Sequence, residues 1–184
     1  VNELMGHKVG WVTLHAGIAG GADVILIPEI PYNLNHVIEA IKRRSEQGKG
    51  FTILAVAEGA ISKEDAKLSK KQYKERLAQR QHSTVGYELA AQIEEATGQE
   101  VRVTIPGHMQ RGGSPVPFDR VISSRLGAAA AELIHNEDYG KMVIMKGYDI
   151  SSIPLKETAG KLKYVSPDDQ IVKQAKILGI SFGD

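Results

Sequence analysis

The stretch that most constrains this chain is RVTIPGHMQRGGSPVPFDR, which spans residues 102–120. Pro106 ends a β-branched run there, because regular structure rarely continues through a Pro-Gly pair. His108 and Arg111 follow, and the glycine pair after Arg111 lets the backbone approach a ligand closely. Ligands of open α/β sheets bind outside the carboxyl ends of strands, and Arg suits bidentate contact with phosphate. This loop therefore predicts a small-anion site. The alternative is a structural imidazole beside a solvated guanidinium.

The remainder of the chain alternates short apolar runs with amphipathic segments. Aliphatic and β-branched runs predict buried strands at 1–4, 24–27, 51–57, 101–105 and 141–146, with an antiparallel or irregular continuation at 148–153. Helical periodicity and capping residues predict helices at 6–19, 33–46, 84–97, 119–135 and from 166 or 167 onward. This alternation predicts a three-layer α/β fold with a mainly parallel sheet. No GxGxxG motif follows a strand, which argues against a dinucleotide-binding domain.

The composition excludes several function classes. A net charge of +1 gives no general attraction to nucleic acid or to membrane. Without cysteine the chain has neither disulfides nor thiolate metal sites, and a cytoplasmic location is expected. The six histidines lack metal-ligand spacing, and no apolar run is long enough to span a bilayer. Residues 62–82 are the most charged segment; a solvated helical excursion is favoured over a basic arm that collects anions.

Polar groups follow three of the predicted strands. Met5, Gly6 and His7 come after the first strand, and Glu58 follows the run 51–57. The third group, at the run 101–105 and the loop after it, is Arg102 with His108 and Arg111. Gly6 could offer backbone N–H groups and the positive end of a helix dipole to an anion. Glu58 could accept hydrogen bonds from sugar hydroxyls, or it could cap the following turn. We expect the three groups to converge on one site.

Four motifs together resemble the phosphofructokinase family, over nearly the whole chain and over about the C-terminal half of that family. They are MGHKVGW, AGGADVILIPE, VAEG and the stretch from Arg102 to Asp119-Arg120. The resemblance implies a phosphofructokinase-like α/β fold that binds fructose 6-phosphate. The residues implied as its ligands are Met5, Gly6, His7, Glu58, Arg102, His108 and Arg111.

The resemblance also implies a role for several of these residues. Glu58 would hold sugar hydroxyls, whereas His108 and Arg111 would hold the 6-phosphate. Arg102 would reach into the site of a neighbouring subunit. Arg111 could further steady charge during phosphoryl transfer, and no other catalytic residue is implied in this chain.

The chain departs from the family pattern in informative places. His7 stands where many ATP-dependent members have Arg, which favours the pyrophosphate-dependent or mixed-donor branches. Asp23 and Lys49 match positions of the bacterial allosteric site, but Gly50 and Phe51 follow, which argues against regulation of that kind. The basic segment 62–82 looks like an insertion relative to compact bacterial members. The chain has neither a GGDGS-like donor loop nor a TIDND-like catalytic segment, so by itself it is expected to be inactive.

The resemblance thus implies the fructose 6-phosphate-binding part of a 6-phosphofructokinase, a glycolytic kinase that uses Mg²⁺ with ATP or pyrophosphate. Because the sequence does not begin with Met, we expect a missing N-terminal donor domain that holds most of the donor and metal sites. Residues 1–184 would bind the sugar phosphate, with 119–184 partly in the region that packs on the donor domain. The parent enzyme would be allosteric and a dimer or tetramer. The alternatives are a non-catalytic sugar-phosphate-binding or regulatory module and a scaffold that serves only oligomerisation.

Overall fold

The computed structural model describes all 184 residues and divides them into two compact units. The larger unit contains residues 1–110 together with residues 164–184. The smaller unit contains residues 111–163. Residues 164–184 therefore belong to the same compact unit as residues 1–110.

A three-stranded parallel sheet lies at the centre of the larger unit. Its strands are β1 (Asn2–Leu4), β2 (Val24–Leu26) and β3 (Leu54–Ala57), in the order β1-β3-β2. Leu4 pairs with Ala57 in the β1–β3 ladder, so the carboxyl ends of these two strands reach the same edge. Single parallel bridges extend the sheet on both sides, from Thr104 beside β1 and from Ser181 beside β2.

Helices cover both faces of this sheet, which confirms the predicted three-layer α/β architecture. The helices of the larger unit are α1 (Trp11–Ala19), α2 (Leu34–Glu46), α3 (Lys70–Ala78), α4 (Val85–Thr97) and α6 (Gln170–Ile177). Alternate strand residues face opposite ways. Leu26 and Val56 therefore pack with α2 and α4, while Ile25 and Ala55 pack with α1 and α6.

Close approach of α1 to the sheet depends on a glycine. A Cβ built on Gly17 would lie 2.6 Å from Ile25 Cδ1 and 3.2 Å from Ala55 Cβ. The absence of a side chain at this position lets the helix backbone rest directly on β2 and β3.

Local capping chemistry sets the ends of α2 and α4. The Asn33 side chain accepts a hydrogen bond from the Asn35 N–H at 2.9 Å, which satisfies a donor that the first turn of α2 leaves free. Gly98 ends α4 in the left-handed conformation, with φ at +68°. Both boundaries agree with the sequence prediction.

The charged segment forms a surface excursion, as its composition predicts. None of the residues of α3 is buried, and a capping box between Ser69 and Gln72 starts the helix. Arg76 and Arg80 connect the segment to α4 through the Glu88 carboxylate, with Arg80 Nε 2.7 Å from Glu88 Oε2. A short 3-10 helix, Asp65–Lys67, precedes α3.

The smaller unit consists of one helix and one antiparallel hairpin. Its elements are α5 (Pro117–His135), β4 (Lys141–Lys146), β5 (Asp149–Pro154) and the 3-10 helix Leu155–Glu157. Lys146 pairs with Asp149 across the turn, so the continuation after β4 is a regular antiparallel strand. None of the residues of α5 is buried, and Phe118, Val121 and Ile134 are each more than half exposed.

Four predicted elements differ from the structure by three residues or more. Residues 101–105 form no strand, because only Thr104 of this segment pairs with β1, and Ile105 is 39% exposed. β3 begins at Leu54, since Phe51 points into solvent and residues 51–53 lie outside the sheet. The first and last helices begin later than predicted, at Trp11 and Gln170. No helix of the chain is both long and apolar enough to cross a membrane.

Candidate functional site

The carboxyl edge of the central sheet brings two of the predicted groups together. Met5, Gly6 and His7 leave the end of β1, and Glu58 leaves the end of β3. The Glu58 N–H donates to the Leu4 carbonyl at 2.9 Å, so the two chain segments emerge side by side. Met5 is half-buried, whereas the side chains of His7 and Glu58 are exposed to solvent at this edge.

The Glu58 carboxylate organises the segment that follows β1. Its Oε1 atom accepts hydrogen bonds from the Gly6 N–H at 3.2 Å and from the His7 N–H at 2.6 Å. Hydrogen bonds to a carboxylate are stronger than those between neutral groups, so this contact fixes the backbone of the segment. The carboxylate therefore bonds the segment after β1 and not the turn that follows Glu58, and its side chain remains exposed at the sheet edge. Its role towards sugar hydroxyls stays a prediction.

His108 and Arg111 lie on a 3-10 helix, Gly107–Arg111. In a 3-10 helix, residues three apart project from the same side. Thr104 pairs with Asn2 in parallel orientation, so the chain that leads to His108 runs towards the same sheet edge as β1. Both side chains are exposed. Arg111 is the first residue of the smaller unit, so its joining the group at the sheet edge stays a prediction.

Arg102 does not join this group within the chain. It precedes the Thr104 bridge, and with Val1 and Lys49 it lines a cavity at the amino-terminal edge of the sheet. Its Nε lies 3.0 Å from Glu100 Oε1, and its side chain is 88% exposed. The expectation that all three groups converge is therefore wrong for Arg102, because the parallel register assigns it to the other end of the strands. Its predicted role in the site of a neighbouring subunit stays a prediction.

Asp23, which matches the acidic position of the bacterial allosteric site, is occupied by internal partners. Its Oδ1 pairs with Arg44 Nη1 at 2.9 Å, and its Oδ2 accepts from the Ile53 N–H at 2.8 Å. Lys49 is exposed. The partner Arg44 was not singled out from the sequence, because a basic residue in the last turn of a helix is ordinary.

A second polar cluster lies between the start of α2 and the first turns of α4. Tyr32, Arg76, Arg80 and Glu88 line one cavity there. Burial, and then the carboxylates of Glu88 and Asp65, raise the pKa of the Tyr32 phenol above its ordinary range. The hydrogen bond to Glu88 raises the pKa of Arg76. No local sequence pattern marks this cluster, because its members come from distant segments.

Glu29 and Gly59 lie beside the site; both belong to the motifs AGGADVILIPE and VAEG, but neither was predicted as a site residue. Each follows a strand, Glu29 after β2 and Gly59 after β3. The strand-end rule applied to Met5 and Glu58 would have marked both of them. Both contact the segment between β1 and α1 that Glu58 also holds, Glu29 at Gly10 and Gly59 at His7.

Comparison with known proteins decides the family. The model of the phosphofructokinase family, described as "Phosphofructokinase", matches residues 1–134. The chain belongs to the phosphofructokinase family. That match includes both sheet-edge segments and the whole stretch 102–120.

Two relatives support the same assignment, and a solved structure has the same fold. The ATP-dependent 6-phosphofructokinase of Spirochaeta thermophila is 51% identical over 100% of this chain and 50% of its own length. The ATP-dependent 6-phosphofructokinase 3 of Bacteroides thetaiotaomicron is 48% identical over 100% of this chain and 49% of its own length. The crystal structure of a pyrophosphate-dependent phosphofructokinase from Nitrosospira multiformis has a TM-score of 0.74 at 16% identity, covering 100% of this chain and 48% of its own. The chain thus spans about half the length of the curated relatives it matches.

Proposed function

We propose that this chain is the fructose 6-phosphate-binding part of a 6-phosphofructokinase, the kinase that phosphorylates the 1-hydroxyl of that sugar. The observation that carries the proposal is the hydrogen-bonded pairing of Glu58 with the Gly6 and His7 N–H groups at the carboxyl edge of the sheet. Ligands of open α/β sheets bind at such edges. Membership of the phosphofructokinase family and the names of the similar relatives support the same substrate.

Each side chain has a chemical role in this proposal. Glu58 commits Oε1 to backbone donors, so its Oε2 is the atom that would accept a sugar hydroxyl. His108 and Arg111, on one side of the 3-10 helix, would bind the 6-phosphate. Met5 and the His7 side chain would flank the sugar. Arg102 would serve the site of a neighbouring subunit, in a dimeric or tetrameric enzyme.

The phosphoryl donor would bind to the part of the enzyme that this chain does not span. The Mg²⁺ that accompanies the donor would bind mostly outside this chain as well, and no group of three or more His, Asp or Glu side chains in the chain could hold a metal ion. The names of the similar relatives favour ATP as donor, whereas His7 in place of Arg favours pyrophosphate or a mixed donor. Arg111 would add positive charge near the transferred group. Allosteric control by the bacterial route is not supported, because internal partners occupy Asp23.

Calorimetric titration of the chain with fructose 6-phosphate, with fructose as the control ligand, tests the proposal. We expect the phosphorylated sugar alone to bind. Arg111→Ala should weaken that binding by roughly tenfold to a hundredfold, because a charge-assisted hydrogen bond contributes about 1.5–3 kcal/mol. Lys63→Ala, which removes a cation from the charged excursion, should change it by no more than about twofold. Equal effects of the two substitutions, or equal binding of both sugars, would contradict the proposal.

The assembly state offers a second test of the same proposal. If Arg102 completes the site of a neighbouring subunit, a dilute monomeric sample should bind the sugar phosphate more weakly than an assembled one. Sedimentation at each concentration reports the assembly state during the titration. Equally tight binding by the monomer would contradict the role given to Arg102.

A further inference from the structure

The segment that joins β1 to α1, residues 5–10, is held at both ends by carboxylates; we call it the acceptor loop. Glu58 holds the first end through the Gly6 and His7 N–H groups. Glu29 holds the other end, since its two oxygens lie 3.0 and 3.1 Å from the Gly10 nitrogen. Glu29 Oε1 also accepts from the Val165 N–H at 3.0 Å. Hydrogen bonds therefore hold the loop to two carboxylates, Glu29 after β2 and Glu58 after β3.

The middle of the acceptor loop touches backbone where no side chain would fit. A Cβ built on Gly59 would lie 2.0 Å from the His7 carbonyl oxygen and 3.2 Å from Pro28 Cγ. His7 itself has φ at +55°, which is uncommon for a residue with a side chain. Such a conformation persists only where the surrounding structure determines it. Here Glu58 and Gly59, the two residues that follow β3, determine the backbone conformation of His7.

We infer that Glu29 and Gly59 are positioning residues of the sugar-phosphate site. Glu29 fixes the Gly10 end of the acceptor loop, and Gly59 leaves room for the His7 carbonyl, so that Glu58 and the loop keep one fixed geometry. This inference rests on the proposed function. The Glu29 carboxylate is engaged by backbone donors and half-buried, and Gly59 has no side chain, so both act through the loop.

A role of Gly59 in stability alone would leave the positions of Glu58 and the acceptor loop unchanged. A Cβ at Gly59 would instead collide with the His7 carbonyl oxygen. Because Gly59 directly follows Glu58, the movement that relieves this collision displaces both the Glu58 carboxylate and the acceptor loop. A Cβ at Gly59 needs the His7 oxygen to move by about 1 Å, because heavy atoms essentially never approach a Cβ closer than 3.0 Å. Displacements of that size at a reacting centre can cost about a hundredfold.

Gly59→Ala, compared with Gly50→Ala, tests the role of Gly59. Gly50 is exposed and has no heavy atom within 4 Å of a built Cβ, so it is a matched control. We expect Gly59→Ala to shift the amide resonances of Gly6 and His7 in the unliganded chain and to weaken fructose 6-phosphate binding by about tenfold or more. Gly50→Ala should leave both within about twofold of the parent. Unchanged Gly6 and His7 resonances in folded Gly59→Ala would overturn the inference.

Glu29→Gln, with the exposed Glu39→Gln as its control, tests the other end of the loop. The amide of Gln keeps one acceptor but turns an N–H₂ group towards the Gly10 N–H, so the amide resonance of Gly10 should shift and sugar-phosphate affinity should fall by several-fold. Glu39→Gln should change neither. If the parent chain binds no sugar phosphate, the proposed function of the chain fails, while the amide resonances still decide the positioning roles.

A folded Glu29→Gln variant with parental affinity and parental Gly10 resonance would remove Glu29 from the inference. Loss of folding in either variant is detected by Trp11 fluorescence. In that case the double variant His7→Gly/Gly59→Ala, in which glycine lets the loop backbone move more freely, is compared with His7→Gly alone, and Glu29→Asp is compared with the parent. Parental loop amide resonances in these folded variants contradict the inference, and displaced ones support it.

Discussion

Glu3→Ala is predicted to lower the free energy of unfolding of the larger unit by about 2–3 kcal/mol, because it removes a carboxylate from the start of α4. Glu3 is only 5% exposed, and its Oε2 accepts from the Gly86 N–H at 2.7 Å. Gly86 lies in the first turn of the helix, whose N–H groups have no partner within the helix. A Cβ on Gly86 would lie 2.7 Å from that oxygen, so glycine permits the contact.

The magnitude follows from two favourable contributions and one unfavourable one. A hydrogen bond to a charged acceptor contributes about 1.5–3 kcal/mol, and a negative charge at a helix N-terminus contributes about 0.3–1 kcal/mol. Burial of the carboxylate opposes both. Glu3→Gln keeps an acceptor near Gly86 while losing the charge, so it should cost about 1 kcal/mol, less than Glu3→Ala. The exposed Glu39→Ala should stay within about 0.5 kcal/mol of the parent.

Urea denaturation followed by Trp11 fluorescence measures these differences in the larger unit. Trp11 is the single tryptophan, and it packs against the core cluster on the α1 face. The urea concentration at the unfolding midpoint should be highest for the parent, lower for Glu3→Gln and lowest for Glu3→Ala. The dependence of the unfolding free energy on urea concentration should be the same for all three. If both variants were as stable as the parent, the cost of burying the carboxylate would cancel its bonds, and the reasoning would be refuted.

Three further predictions follow from packing, ion pairing and titration. Gly17→Ala should destabilise the larger unit by about 1–3 kcal/mol in urea denaturation because its Cβ meets the sheet, whereas Gly127→Ala, in open space on α5, should not destabilise the chain. Glu88→Gln should release α3 and speed tryptic cleavage within residues 70–80, and Glu39→Gln should leave the cleavage rate unchanged. Burial raises the pKa of Tyr32, so the stability it contributes is complete below about pH 10 and is lost as the pH rises above that value. Tyr32→Phe should therefore lose less stability than the parent between about pH 9 and pH 11, and parallel pH profiles would contradict this.

The local sequence predicted most elements of the fold. Asn33 and Gly98 act within one turn of the helix ends that they set, so their effects are readable without tertiary contacts. The aliphatic runs predicted β2 and β3 because strands buried on both faces need continuous apolar residues. The same rule failed for residues 101–105, since a β-branched run does not tell how many of its residues pair with a neighbouring strand.

The motifs of the sequence by themselves determined the family and nominated the sheet-edge residues, because those motifs occupy short contiguous stretches. Only the tertiary structure decided how these residues are arranged. The parallel register turned Arg102 towards the opposite edge from Glu58, and the meeting of three strand ends made Glu29 and Gly59 contacts of the acceptor loop. Such contacts join residues far apart in the chain. Their distances depend on how the strands pair, and no local pattern records that pairing.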